Sequence, residues 1–426
     1  VKRYPYLDVL RALAVLLLVF FHATGYLLLR RETLDVGVGG RWVVHVFHMP
    51  LFFVLSGFVL GLAARRSGLA AQVRSRWKRL AVPFLIGMVT VIPAIRLVGI
   101  YYSSLKPDSS KHHEASALTF GNIFSLEPQH LWFLEYLLLL SLVVLGIWAL
   151  WRRFGVSERI NTRLRPALLV LLMAAPVAAV LLDGGWEASY QPDTMVPDIA
   201  LAAYYLCFLA AGWLLSSQEG FRNAMEKAPG TKLLLGAVLI WASYSLYLDQ
   251  GYPLPDDYSL ARLEVVAGAT AAAWCVISGF WGLSARLFAS PGRQLKLFAD
   301  SSYWLYIVHL PILLLIESAL ARTDLPVLAR WLLAIASTVV LCVISYALFV
   351  RGRLLGRLLG EGPRRRPQGP EGPGPVATVP ADGREHANAT ESGTARAGVR
   401  AGNGARTAPP GAAPQAGDEP LPRPAD

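Results

Sequence analysis

The chain has 426 residues, 54% of them hydrophobic and only 16% charged, with a mean hydropathy of +0.44. Soluble domains carry about 25% charged residues, so composition sets aside a soluble multi-domain protein. The net charge of +11 fits basic loops on one side of a membrane. Nothing in the chain looks like a nucleic-acid module, and no nucleic acid is expected as a partner.

Several apolar runs exceed the ~18 residues that mark a membrane span. Ten transmembrane helices are predicted, at 7–29, 42–63, 80–102, 131–151, 166–182, 197–217, 231–249, 261–283, 302–320 and 327–350. The expected fold class is all-α: a polytopic integral membrane protein in the lipid bilayer, with the fifth run short and interrupted by Pro176. With the N-terminus placed in the cytoplasm, the inner loops hold 25 Lys and Arg against 8 in the outer loops. That bias follows the positive-inside rule and puts both termini on the cytoplasmic side. The first run is too long for a signal-peptide core and lacks a small-residue cleavage site, so it is expected to persist as an anchor. Residues 1–358 form the expected transmembrane domain. Residues 359–426, rich in Gly, Pro, Ala and Arg, are expected to be a disordered cytoplasmic tail. Arg-, Ala- and Gly-rich usage points to a high-GC bacterium and to its cell membrane.

The first run, LDVLRALAVLLLVFFHATGYLLL, carries Arg11 and His22. Eleven residues at about 100° each is three turns plus roughly 20°, so both project from one face, about 16 Å apart along the axis. Ionisable groups in hydrocarbon are costly and usually face a bundle interior or a watery cavity. Histidine is also the common general base near neutral pH. A polar site built partly on this helix is the functional reading; structural ion pairing or snorkelling of Arg11 is the other.

The second run contains HVFHMPLFFVLSGF. Its His48 is either a site residue or an interfacial one, and His45 reads as interfacial. Ser56 and Gly57 serve either helix packing or the site. The loop that follows ends in RSRWKRL, where Arg76 and Arg79 share a face if the helix has begun. They are a positive-inside flank or a clamp for a phosphate-bearing ligand. The fourth run opens HLWFLEY; its Glu135 lies one turn into apolar sequence and needs a partner or a function, while His130 and Trp132 read as the outer boundary. The ninth, beginning SSYWLYIVHLP, offers Tyr303, Tyr306 and His309, the last serving packing or chemistry. Cys207, Cys275 and Cys342 lie inside apolar runs without metal-ligand spacing, so neither a disulfide framework nor a metal site is expected.

Five segments in this order, LDVLRALAVLLLVFFH, HMPLFFVLSGF, the Arg76 to Arg79 pair, HLWFL and SSYWLYIVHLP, resemble the membrane-bound acyltransferase 3 family. The combination of HMPLFFVLSG with HLWFL is similar to the branch that includes glucan biosynthesis protein C, a succinyl-transferring type. The resemblance spans residues 7 to about 315. It implies an enzyme with no bound cofactor that uses acyl-CoA as co-substrate and acylates a carbohydrate or glycosylated acceptor outside the cytoplasm. The family's default donor is acetyl, with succinyl and branched acyl groups open. On this reading Arg76 and Arg79 take the CoA phosphates, Arg11 holds the donor, and His22 removes the acceptor's proton. His48, Ser56, Glu135, Tyr303 and His309 are candidate substrate contacts. A secondary transporter is the competing reading, since buried Arg, His and Glu on broken helices also serve ion-coupled carriers.

Overall fold

The computed structural model describes residues 4–28, 34–104, 120–124, 126–155, 194–250, 260–288 and 292–359, with isolated positions 174, 176 and 192. The regular elements among them are helical. They are α1 (Tyr6–Leu28), α2 (Leu34–Arg76), a π-helical turn (Trp77–Ala81), α3 (Val82–Ser104), α4 (Phe120–Ile123), a 3₁₀ turn (Gln129–Leu131) and α5 (Trp132–Arg153). There follow α6 (Ile199–Leu215), α7 (Glu219–Glu226), α8 (Pro229–Gln250), α9 (Leu260–Leu287), α10 (Arg293–Leu320), α11 (Val327–Ser345), a second π turn (Tyr346–Val350) and α12 (Leu354–Leu358).

Seven stretches of the described residues are long and apolar enough to cross a membrane, or eight if the bent pair α6–α7, turned by 108°, counts as one. The chain is thus a polytopic membrane protein, all-helical in its regular elements among the described residues. One stretch, Asp35–Tyr101, takes in both the second and third predicted spans. The expected loop between them, RRSGLAAQVRSRW, is instead helical apart from one break at Gly68 (φ 76°). Its Ala, Leu, Arg and Gln content favours helix, and glycine reaches a positive φ without steric cost. The predicted fifth span, apart from positions 174 and 176, and the predicted tail beyond Leu359 lie outside the described residues.

The core is built where small residues let helices approach. A side-chain carbon added to Gly57 of α2 would strike the Leu209 carbonyl of α6, and one added to Gly212 of α6 would strike the Val54 carbonyl. These two backbones touch directly, as small-residue crossings in membranes do. Gly57 is therefore a packing residue. The start of α6 is fixed by Asp198, whose carboxylate accepts from the Leu201 amide at 2.7 Å as an N-cap, while its own amide donates to the Tyr136 hydroxyl at 2.8 Å.

The pair that positions the site is α1 and α10. The Arg11 guanidinium donates to the Ala299 carbonyl at 3.1 Å, and the His22 ring lies 5.1 Å, centroid to centroid, from that of His309. Eleven residues on one helix match ten on the other. The two helices therefore run parallel and in register for about three turns.

Candidate active site

At one end of the α1–α10 pair, Arg11 is half-exposed and reaches both Asp8, one turn earlier, at 3.2 Å and the Ala299 carbonyl. One turn along α10 from Ala299, the Tyr303 hydroxyl donates to the Arg79 carbonyl at 2.5 Å. That carbonyl is available because Pro83, four residues on, has no N–H to offer it. The π turn that carries Arg79 and follows Arg76 is thus stitched to α10 beside Arg11. Arg76 is half-buried and Arg79 exposed. The three arginines gather at one end of the bundle, with guanidiniums that suit bidentate phosphate recognition.

At the other end a small cavity is lined by Phe21 and His22 of α1, His45, His48 and Phe52 of α2, His130 of the 3₁₀ turn, Trp132 and Phe133 at the start of α5, and Tyr306 of α10, with Leu18 and Met49. His309 stands against it through its contact with His22. Five of the eight histidines in the chain meet here. His45 and His48 each stack on Phe21, at 5.4 and 5.1 Å, and Arg41 lies over the same ring at 4.3 Å. Among the described residues, no group of three or more His, Cys, Asp or Glu side chains is arranged to hold a metal ion.

Hydrogen bonds fix the neutral tautomers of three of these rings. A carbonyl oxygen only accepts, so the ring nitrogen beside it carries the proton and its partner nitrogen is left with a lone pair. His48 Nδ1 donates to the Val44 carbonyl at 2.9 Å. His309 Nδ1 donates to the Leu305 and Tyr306 carbonyls at 3.1 and 2.9 Å. His130 Nε2 donates to the Ile307 carbonyl at 3.1 Å, which is free because Pro311, four residues on, supplies no N–H. The Tyr306 hydroxyl holds the His130 backbone by donating to its carbonyl at 2.6 Å. The preceding turn is tied down by the Arg96–Glu127 ion pair and takes Gln129 to φ 49°, a conformation that surrounding structure must enforce.

The structure brings together His22, His48 and His309 of the residues picked from sequence, and joins Tyr303 to Arg79 and the Arg11 end. Ser56 is half-buried and outside the cavity lining, as is Glu135, whose Oε2 is buried without a hydrogen bond. His45 and His130, read from sequence as interfacial, are 8% and 3% exposed and line the cavity. Helix packing draws them in: α2 packs along α1, and the 3₁₀ turn is bonded to α10 through His130 and Tyr306. Two signals in the sequence pointed there, the three-residue spacing of His45 and His48 on one helical face and the aromatic run after His130.

A family model described as an acyltransferase domain, acyltransferase 3, matches residues 4–350. The chain belongs to the acyltransferase 3 family. The match spans both the arginine end and the histidine cavity, and with membership the protein is a membrane acyltransferase; the transporter reading is set aside. Similar curated proteins are the glucans biosynthesis proteins C of Salmonella paratyphi B, Salmonella dublin and Salmonella enteritidis, each 23% identical. Each alignment covers 84% of this chain and 94% of the relative. No solved structure matches the chain.

Proposed function

We propose that this acyltransferase moves an acyl group from cytoplasmic acyl-CoA to a hydroxyl of an extracytoplasmic glycan or glycosylated product, with acetyl the default and succinyl or a branched acyl group the alternatives; a glycan acceptor accords with relatives that bear the name glucans biosynthesis protein C. The observation that carries this reading is the two-ended α1–α10 pair. Three arginines suited to CoA phosphates stand at one end, and an aromatic cavity rich in imidazoles lies about 16 Å away at the other. A thioester entering from the arginine end reaches an acceptor held in the cavity.

His22 acts as the general base. It takes the proton of the acceptor hydroxyl as that oxygen bonds to the thioester carbonyl carbon. The C–S bond then breaks and the departing CoA thiolate takes the proton back from His22, so that the products are an ester and free CoA. Aromatic walls such as Phe52, Trp132 and Phe133 suit the faces of a sugar ring.

The test is thioester turnover by wild-type protein in lipid, offered a panel of acyl-CoAs and extracted envelope glycans, beside His22→Ala. CoA release with acylated acceptor is expected, reduced on the order of a hundredfold or more in the variant. Full turnover by normally expressed His22→Ala would remove the base from this mechanism.

A further inference from the structure

His22 differs from its neighbours. Neither of its ring nitrogens makes a hydrogen bond among the described residues, whereas the two imidazoles beside it across the cavity have their tautomers fixed by α10. His309 spends its Nδ1–H on the Leu305 and Tyr306 carbonyls, and its Nε2 is buried without a partner. His130 spends its Nε2–H on the Ile307 carbonyl, and its Nδ1 is likewise buried without a partner. The two residues are 0% and 3% exposed. Toward His22 both can therefore act only as acceptors, and any N–H···N bond among these three rings has to be donated by His22.

We propose that His309 is a positioning residue for His22: its Nε2 receives one N–H of the His22 ring and thereby leaves the other His22 nitrogen bare toward the acceptor hydroxyl. This rests on the reading of His22 as the base. His309 is the nearer of the two acceptors, at 5.1 Å between centroids against 6.3 Å for His130. The rings stand side by side without a closed hydrogen bond, as is common before substrate binds. When His22 takes the hydroxyl proton it becomes an imidazolium, and the His309 lone pair is the neighbouring group that stabilises the charge. A base oriented by a third group recurs in nucleophile activation. Here the third group is a neutral imidazole, fixed by main-chain carbonyls.

The experiment compares His309→Gln, His309→Leu and His22→Ala in lipid, measuring CoA release, the KM for acyl-CoA and for the acceptor, and acyl-CoA binding. Glutamine places an acceptor where Nε2 stood; leucine keeps bulk without one. The expected result is a kcat lowered about a hundredfold in His309→Leu, with KM and acyl-CoA binding within about threefold of wild type, and recovery to within about tenfold in His309→Gln. A merely structural role would lower both variants alike or raise KM, and either outcome overturns the proposal. If the leucine variant does not fold, His309→Gln decides: a loss as deep as in His22→Ala overturns the proposal, and near-normal kcat upholds it. Inactive His22→Ala beside fully active His309→Leu removes the positioning role alone. Active His22→Ala removes the base itself.

Discussion

His130 donates to the carbonyl of Ile307, a residue 177 positions later in the chain, at 3.1 Å. Pro311 makes this bond possible by withholding the helical N–H that would otherwise occupy the carbonyl. Replacing Pro311 by Ala restores that donor in a helix otherwise free of prolines. The expected outcome is a melting temperature unchanged or higher than wild type with turnover down about tenfold, because His130 then shares its anchor. Thermal unfolding and CoA release on the same preparation check it. A parallel fall of both would show that Pro311 serves the fold alone.

Tyr303 makes the matching bond at the arginine end, to the carbonyl that Pro83 leaves open. Tyr303→Phe is expected to cost about 1 kcal/mol of stability, the usual net worth of one such bond. It should also raise the KM for acyl-CoA roughly fivefold, because the π turn beside Arg76 loses its tie to α10. Unchanged KM with a lowered melting temperature would confine Tyr303 to packing.

Arg76→Gln and Arg79→Gln each remove one charge suited to a phosphate. Each is expected to raise the KM for acyl-CoA about tenfold, in line with the loss of one charge-assisted hydrogen bond, while kcat stays within about threefold. Measuring the two constants separately checks the assignment; a selective loss of kcat would move these arginines from donor binding to chemistry.

The α2–α6 crossing tolerates no side chain. Gly57→Val and Gly212→Val each drive a side chain into a facing carbonyl, and neither is expected to yield monodisperse protein, since overpacking of a rigid contact commonly costs 1–3 kcal/mol or more, roughly, even where neighbours can shift. Gly146→Ala, where nothing lies within 4 Å, serves as the control and should behave as wild type in size-exclusion chromatography.

Much of this was legible before the structure. The spacing of Arg11 and His22 depends only on helical period, and the structure keeps both on the side of α1 that meets α10. Arg76 and Arg79 fall on continuous helix as expected, Arg76 closing α2 and Arg79 on the π turn that follows. What sequence could not supply was partnership across the chain. His45 and His130 sit near the ends of apolar runs, where a polar residue usually means an interface, and only the packing of α2 on α1 and the bonds of the 3₁₀ turn to α10 make them cavity walls. The helix through the expected loop after residue 63 was hidden for a different reason. Hydropathy reports where a chain leaves the membrane and says nothing about whether it stays helical on leaving.

The tie between Arg11 and Ala299 joins residues 288 positions apart. At translation rates of about 5–20 residues per second, roughly 15–60 seconds separate the synthesis of the two. During that interval the first helix is without the partner that meets both its arginine and its histidine. The α1–α10 pair is consequently completed late, when α10 comes in beside α1. A truncated product released before that step would carry Arg76, Arg79 and His22 and still lack the helix that meets α1 at both Arg11 and His22.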